Sequence, residues 1–250
     1  MKIAIVVLSV NTGRIYPRFK KVWKMYDTVH PHVDVFYNYG RIDNPFYKEH
    51  CDLVFDDVEE CKVIHDSEGN ICQGMLNKTI RSYEWLLKHG NYDYVIRTNL
   101  STFWNIPKAF DRISAFPREK LFSGMLRIFN GLVRQGPSGK YKISGTYVSG
   151  TDQVISIDLV KKLVENYDRL LEINLTEDWA VSSFITKDLG IAPVVDNTQF
   201  RIEDLRTAQD LIALKPNIPV GKYDHYRIKN THNRELDIEL ARHLYTMFYG

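Results

Sequence analysis

The 250-residue sequence lacks a strong excess of charge of either sign. It contains 33 basic and 31 acidic residues, so its formal net charge is only +2. A surface that binds nucleic acid needs a clear excess of lysine and arginine. We therefore expect no nucleic-acid partner.

Cysteine is also scarce. The three cysteines, Cys51, Cys61 and Cys72, are odd in number and lack the paired short spacing of a zinc site. This usage predicts buried free thiols in a reducing compartment. Together with the lack of any run long enough to cross a bilayer, it predicts a cytoplasmic location.

Long hydrophobic runs are absent. The opening MKIAIVVLSV is too short to span a bilayer and has no small-residue cleavage site of the signal-peptide kind. We expect no transmembrane segment, and we interpret residues 2–8 as a buried first strand.

The composition, 44% hydrophobic and 26% charged, is that of an ordinary globular protein. The length is sufficient for a large core, and no repeat, low-complexity run or linker divides it. A single domain over residues 1–250 is therefore expected.

Short apolar segments alternate with amphipathic ones along most of the chain. The alternation predicts an α/β fold, a mixed and mainly parallel sheet with helices on both faces. Predicted strands cover 2–8, 33–37, 53–55, 62–65, 94–96 and 154–157. Predicted helices cover 17–26, 75–89, 106–115, 159–171, 176–190 and a carboxyl-terminal segment through Phe248. A hairpin or loop pair is expected over 121–148, and a polar segment over 225–237.

The stretch NYDYVIRTNLSTFWN, residues 91–105, is the most informative. It predicts a buried strand that ends at Ile96 in a polar turn from Arg97 to Ser101. Open α/β sheets bind ligands at such strand ends. The alternative is an ordinary loop whose Asn and Ser serve turn geometry.

Three segments carry a resemblance. They are NKTIRSYEWLLKHGNYDYVIRTNLSTFWNIP, YVSGTDQVISIDLVKKL and TEDWAVSSFITKDLGIAP, and together they cover about half the chain. In order and spacing they resemble inverting glycosyltransferases of the β1,3-galactosyltransferase and Fringe kind, which have the GT-A fold. The resemblance implies transfer of a sugar, with inversion, from a nucleotide-sugar donor to a hydroxyl of a glycan or glycoconjugate acceptor. A UDP-sugar is the expected donor.

One departure from the family pattern concerns a divalent cation. Where the family has metal-binding carboxylates, this chain has Thr98, Asn99, Leu100 and Ser101. Neutral oxygens are weaker ligands for manganese or magnesium than carboxylates. The sequence leaves open both a metal-dependent and a metal-independent reaction. His225 or His232 is a candidate ligand if a metal binds, because some relatives use a carboxyl-terminal histidine.

Asp178 is the candidate general base, by its match to the second acidic residue of the family's Glu-Asp motif. Its predicted place in the first turn of a helix keeps it ionised. The same place permits a plainer role, in which Glu177 and Asp178 only stabilise the helix start and Thr176 caps it. With the resemblance added, catalysis is favoured.

The resemblance also implies a donor site and an acceptor site. Positive charge near the departing diphosphate would come from Arg97 or from the basic tail. A solvated charged loop explains any one of the tail's basic residues better, but five such residues within ten favour a site. Trp104, Trp179 and Tyr147 are candidates for stacking on sugars, or else core residues. The expected donor-binding residues are Val10, Asn11, Thr12, Arg14, Arg97, Thr98, Asn99, Ser101, Arg227 and Lys229. The expected acceptor-binding residues are Ser149, Gly150, Thr151, Asp152, Glu177 and Trp179.

Two other functions compete with this one. The first is another nucleotide-using transferase, such as a nucleotidyltransferase, which needs a Gly-rich phosphate loop after the first strand; SVNTGRIYPRFKK is a poor version of one. The second is a GT-A-shaped binding module without catalysis, against which the Glu177–Asp178 pair argues.

Overall fold

The computed structural model describes residues 1–10, 13–41, 52–59, 72–136, 139–230 and 232–250. The strands are β1 (Ile3–Leu8), β2 (Val33–Tyr39), β3 (Asp52–Val54), β4 (Tyr94–Asn99), β5 (Thr102–Trp104), β6 (Phe122–Gly124), β7 (Leu126–Gly136), β8 (Gly139–Val148), β9 (Asp152–Ser156), β10 (Val194–Val195), β11 (Gln199–Ile202) and β12 (His225–Ile228). The α-helices are α1 (Tyr16–Trp23), α2 (Gly74–His89), α3 (Ile106–Ser114), α4 (Ile157–Glu165), α5 (Tyr167–Ile173), α6 (Glu177–Ser183), α7 (Ala208–Leu214) and α8 (Glu235–Tyr249). A π-helical segment, Phe184–Asp188, continues α6, and a 3₁₀ turn, Lys215–Asn217, follows α7.

A seven-stranded sheet forms the centre of the fold, in the order β10-β6-β9-β4-β1-β2-β3. The pairs β1–β2, β1–β4, β2–β3 and β10–β6 are parallel, whereas β9 runs antiparallel to both β4 and β6. The expected fold class, an α/β fold with a mixed and mainly parallel sheet, is confirmed.

Helices cover both faces of this sheet, because alternate residues of β1 belong to two separate apolar clusters. Ile3, Ile5 and Val7 pack with residues of α1, α3 and α8. Ala4 and Val6 pack with residues of α2, α4 and α6. A strand that is buried on both faces has a continuous apolar sequence, and this is why the sequence pattern predicted the first strand.

A second, three-stranded sheet extends the end of β4. Its order is β11-β12-β5, with β12 parallel to β11 and antiparallel to β5. The backbone N–H of Ile228 also donates to the carbonyl of Ser101 at 2.9 Å. The carboxyl-terminal segment is thereby joined to the loop that leaves β4.

Several predicted element boundaries were wrong. The strand predicted over 94–96 continues through Asn99, because Arg97 and Thr98 pair with β1 on one side and β9 on the other. The helix predicted over 159–171 is broken at Asn166 into α4 and α5. The polar segment 225–237 begins with β12, and residues 102–104 form β5, which the sequence reading missed. The strand predicted over 62–65 lies outside the described residues.

The structure contradicts one expectation about the cysteines. Cys72 is disulfide-bonded, so the prediction of free thiols was wrong for this residue. Within the described part of the chain, no helix combines the length and apolar character needed to cross a membrane.

Candidate active site

The carboxyl ends of β1 and β4 form a topological switch point. From these neighbouring strands the sheet continues toward β2 on one side and toward β9 on the other. Ligand crevices of open α/β sheets lie at such points. Of the expected donor residues beyond β1, Val10 is partly exposed and Arg14 is exposed, whereas Asn11 and Thr12 lie outside the described residues.

Helix α2 supports the backbone at the end of β1. The buried ammonium of Lys78 donates to the carbonyl of Ser9 at 2.9 Å. The backbone N–H of Ser9 donates to the carbonyl of Asn38 at the end of β2, at 3.1 Å. A buried lysine bound to a loop carbonyl fixes the loop's position, and the sequence reading did not identify Lys78 as part of the site.

Arg97 and Glu177 form a buried ion pair. The Nε of Arg97 donates to Oε1 of Glu177 at 3.0 Å, and Nη2 donates to Oε2. Burial raises the pKa of Glu177, and the charge of Arg97 opposes that rise. The remaining nitrogen, Nη1, donates to Oδ1 of Asn99 at 3.3 Å. Arg97 therefore joins β4 to α6 and orients Asn99, with most of its donors already occupied.

Asp178 lies beside this pair and remains partly exposed. Its Oδ2 accepts from the backbone N–H of Gly150 at 3.2 Å, and its Oδ1 accepts from the N–H of Trp179 at 3.0 Å. A Cβ on Gly150 would lie only 2.3 Å from Nη1 of Arg97, so any larger residue there would have to displace this guanidinium from its partners. The fold thus brings together Arg97, Asn99, Gly150, Glu177 and Asp178 from three separate segments.

The aromatic candidates differ in their surroundings. Trp104 is fully buried, its Nε1 donates to Oγ1 of Thr98 at 3.0 Å, and it therefore cannot stack on a sugar. Oγ1 of Thr98 in turn donates to the carbonyl of Thr151 at 2.7 Å. Trp179 is buried and stacks on Tyr147, with ring centroids 5.4 Å apart. Trp104 and Thr98 therefore have a structural role, because their hydrogen bonds connect β5 and β4 to the loop that contains Thr151.

His225 is enclosed between two buried carboxylates. Its Nε2 lies 3.2 Å from Oδ2 of Asp152, and its Nδ1 lies 2.6 Å from Oδ1 of Asp224. Burial alone would lower the pKa of His225, but the hydrogen bonds and charges of these carboxylates raise it to about 9. An imidazolium that donates from both nitrogens has no lone pair for a metal. The structure therefore argues against His225 as a metal ligand. The other candidate ligand, His232, is exposed on the surface.

The residues in the place of the family's acidic turn do not fit a divalent cation. Asn99 Oδ1 accepts from Arg97, and Ser101 Oγ accepts from Nη1 of Arg227. Each of these oxygens thus already accepts from an arginine, whose positive charge would repel a cation. No group of three or more His, Cys, Asp or Glu side chains in the described part of the chain is arranged to hold a metal ion.

A basic cluster lies next to Ser101; it comprises Arg201, Arg227, Lys229 and Arg234. Burial lowers the pKa of Arg227 to about 10, with further lowering by the charges of Arg234 and Arg201. Burial and Arg227 also lower the pKa of the exposed Lys229. Arg201 pairs with Glu203 and Arg234 with Asp237, but no described carboxylate forms an ion pair with Arg227. The excess positive charge favours an anion at this position.

No protein-family model matches the chain, and no curated protein matches it. Among solved structures, a glycosyltransferase involved in the glycosylation of the major capsid of PBCV-1 is similar over 96% of this chain and 98% of its own, at 10% identity and a TM-score of 0.48. The 2-C-methyl-D-erythritol 4-phosphate cytidylyltransferase of Thermus thermophilus is similar over 85% of this chain and 97% of its own, at 10% identity and a TM-score of 0.41. HddC of Yersinia pseudotuberculosis is similar over 65% and 80%, at 10% identity and a TM-score of 0.30. These likenesses are too distant to carry an argument about chemistry, and membership of the β1,3-galactosyltransferase and Fringe family is not shown.

Proposed function

We propose that the protein is a glycosyltransferase with a single GT-A-type domain over residues 1–250, which moves a sugar from a nucleotide-sugar donor to a hydroxyl of a glycan acceptor. The observation that carries the proposal lies at the end of β4. There the partly exposed carboxylate of Asp178 accepts from Gly150, which lies against the Arg97 guanidinium that holds Asn99. Arg227 donates to Ser101 and has no carboxylate partner among the described residues. A base and an anion site at one switch point suit displacement of a nucleoside diphosphate.

Asp178 would take the proton of the acceptor hydroxyl as that oxygen attacks the anomeric carbon. The donor's diphosphate would leave from the opposite face, so the configuration of the sugar inverts. Gly150 and the Arg97–Glu177 pair would hold Asp178 and Asn99 in place. Because reactive geometry contributes much of an enzyme's rate, these contacts support turnover without entering the chemistry.

The basic cluster would bind the diphosphate and stabilise its charge as it leaves. We infer that this arrangement works without manganese or magnesium, because arginine donors hold the oxygens of Asn99 and Ser101. A UDP-sugar remains the expected donor, by the resemblance described above.

The competing nucleotidyltransferase function would require free basic residues shortly after β1. Two of the nearby basic residues are occupied, because Arg18 pairs with Glu235 and the ammonium of Lys20 lies over the rings of Tyr37 and Tyr39. The two functions differ in their products. A nucleotidyltransferase forms a nucleotide sugar from a nucleoside triphosphate and a sugar phosphate, whereas the proposed enzyme consumes a nucleotide sugar.

The cytoplasmic location also remains a prediction, and the disulfide at Cys72 contradicts one of the observations that favoured it. It rested in part on free thiols, and a disulfide at Cys72 is more typical of an oxidising compartment. Trapping the thiols with an alkylating reagent in intact cells, followed by mass spectrometry, measures the oxidation state of Cys72 directly.

A thermal-shift panel of nucleoside diphosphates and nucleotide sugars, with manganese or with a chelator, tests the donor site. A ligand that binds the native state raises the unfolding midpoint by linkage. We expect one nucleotide base to give the largest shift and the chelator to leave that shift unchanged. A shift that requires manganese would contradict the metal-independent site.

The variant Asp178→Asn tests the base. We expect transfer to fall by roughly two to four orders of magnitude, with donor affinity nearly unchanged, since the amide keeps the shape but cannot take a proton. Asp168→Asn is the matched control, because Asp168 is also an acidic residue in the first turn of a helix, α5, and is exposed. Wild-type turnover in Asp178→Asn would show that the carboxylate only stabilises α6.

A further inference from the structure

The 149–152 loop is fixed from below by an alternating chain of buried charges. Asp152 accepts from the backbone N–H of Met125 at 2.9 Å and faces Nε2 of His225 at 3.2 Å. Asp224 faces Nδ1 of the same ring at 2.6 Å and pairs with Arg112 of α3. Asp152, Asp224 and His225 each expose no more than 1% of their surface.

This chain of charges is connected to Asp178 by two hydrogen bonds, which are joined by the peptide bond between Gly150 and Thr151. Oδ1 of Asp152 accepts from Oγ1 of Thr151 at 3.0 Å, and the carbonyl of Thr151 accepts from Thr98 at 2.7 Å. The residue before Thr151 is Gly150, whose N–H donates to Asp178. A shift of Asp152 would therefore move the peptide that holds the carboxylate of Asp178.

We propose that His225 is a positioning residue for this site: its imidazolium, held between Asp152 and Asp224, fixes the 149–152 loop and through it the carboxylate of Asp178. The role of Asp178 in turnover rests on the function proposed above, but the structural coupling does not. Removing the charge of His225 would leave Asp152 as a buried carboxylate without a cationic partner, which is strongly unfavourable. Either the loop would move so that water reaches Asp152, or the carboxylate of Asp152 would take up a proton.

The groups that face His225 set the direction of its pH dependence. They are Asp152 from β9 and Asp224 on the preceding residue, with Arg112 and Asp196 behind Asp224; the ring of Trp104 covers one face at 4.3 Å. The two adjacent carboxylates raise the pKa of His225 to about 9. The imidazolium therefore persists at neutral pH, and the loop should loosen only in alkali.

Nuclear magnetic resonance tests the coupling without any substrate. We would follow the ring of His225, the backbone nitrogen of Gly150 and the carboxyl carbon of Asp178 in carbon-detected spectra from about pH 6 to pH 10, a range that brackets the raised pKa. We expect all three signals to change with one shared midpoint. A ring that is neutral at pH 7, or one that titrates while the other two signals stay constant, overturns the proposal.

The variant His225→Gln provides the second measurement, with His243→Gln on α8 as the control. We expect His225→Gln to shift the Gly150 and Asp178 signals already at neutral pH. If the variant folds and these signals stay unchanged, the proposal is overturned. This measurement also decides the case in which the wild-type ring stays protonated over the whole pH range. If the variant does not fold, the wild-type titration decides.

In the wild type, turnover should fall roughly 10- to 100-fold above the shared midpoint, the scale of a displaced catalytic group, while the KM for the donor stays constant. Absence of turnover with every donor would refute the proposed function, yet leave the spectroscopic test of His225 intact.

Discussion

At the scale of single residues, Arg227 shows a conflict between stability and binding. Its guanidinium is partly buried on Ser101, and the charges of Arg234 and Arg201 repel it. Burial of a charge without a partner costs free energy of folding. Such a residue is advantageous if an anion completes the site.

Replacing Arg227 should therefore separate the two effects. We expect Arg227→Gln to raise or preserve the unfolding midpoint of the free protein. Affinity for a nucleoside diphosphate should fall roughly 10- to 100-fold, the equivalent of one charge-assisted hydrogen bond. Calorimetric titration measures the affinity, and the exposed Arg169→Gln is the control. An unchanged affinity would remove Arg227 from the donor site.

Gly150 gives a second prediction at this scale. A methyl group there would displace the guanidinium of Arg97, at 2.3 Å, from its contacts with Glu177 and Asn99. We expect Gly150→Ala to destabilise the protein by about 1–3 kcal/mol, typical of an overpacked core, and to abolish most turnover. Gly145→Ala is the matched control, since its Cβ would meet its nearest neighbour, Trp179, at an ordinary 3.6 Å. Equal urea midpoints for the two variants would contradict this account.

At the scale of elements, β12 decides the composition of the site. Its side chains alternate, so that Tyr226 and Ile228 pack in the core while His225 and Arg227 lie on the opposite face. The same alternation continues to Lys229. The sequence HYRIK therefore carries a period-two strand signal, which its basic residues obscure because they make the segment polar overall.

The starts of α6 and α7 offer a comparison of helix caps. Thr207 accepts from the N–H of Asp210, whose carboxylate accepts in return from the N–H of Thr207, whereas Thr176 makes no side-chain cap before α6. We expect Thr207→Ala to lower the free energy of unfolding by about 0.5–2 kcal/mol and to leave turnover unchanged. Thr176→Ala should change stability by less than about 0.5 kcal/mol. Urea unfolding of the two variants distinguishes them, and equal losses would contradict the assignment of the caps.

At the scale of the whole molecule, the buried charges join the two sheets. Asp152 begins β9 of the central sheet, whereas His225 begins β12 of the three-stranded sheet. Asp152, Asp224 and His225 are almost fully buried, so their protonation is linked to folding.

Stability should accordingly depend on pH in a defined direction. The pKa of His225 is about 9 in the folded state, against an ordinary value of 6.5, so its contribution is complete below about pH 6.5 and is lost as the pH rises through 9. A shift of this size corresponds to about 3 kcal/mol as an order of magnitude. The carboxyl of Asp224 remains buried, but its pairing with His225 and Arg112 lowers its pKa, so its contribution is lost as the pH falls through that lowered value. Urea midpoints measured across this range test the prediction, and constant stability between pH 7 and pH 10 would contradict it.

The sequence by itself determined the α/β class, since continuous apolar runs such as Ile3–Leu8 and the helical spacing of apolar residues in Gly74–His89 are local patterns. It also indicated that Asp178 and Asn99 belong near one site. Only the tertiary structure decided how they are connected. Arg97 contacts Glu177, 80 residues later in the sequence, and lies against Gly150, through long-range packing that no local pattern encodes. The same holds for His225, which as a sequence position was a candidate metal ligand and in the fold is an imidazolium between Asp152 and Asp224. Long-range pairing sets burial, and burial with specific partners sets the charge state on which the chemistry depends.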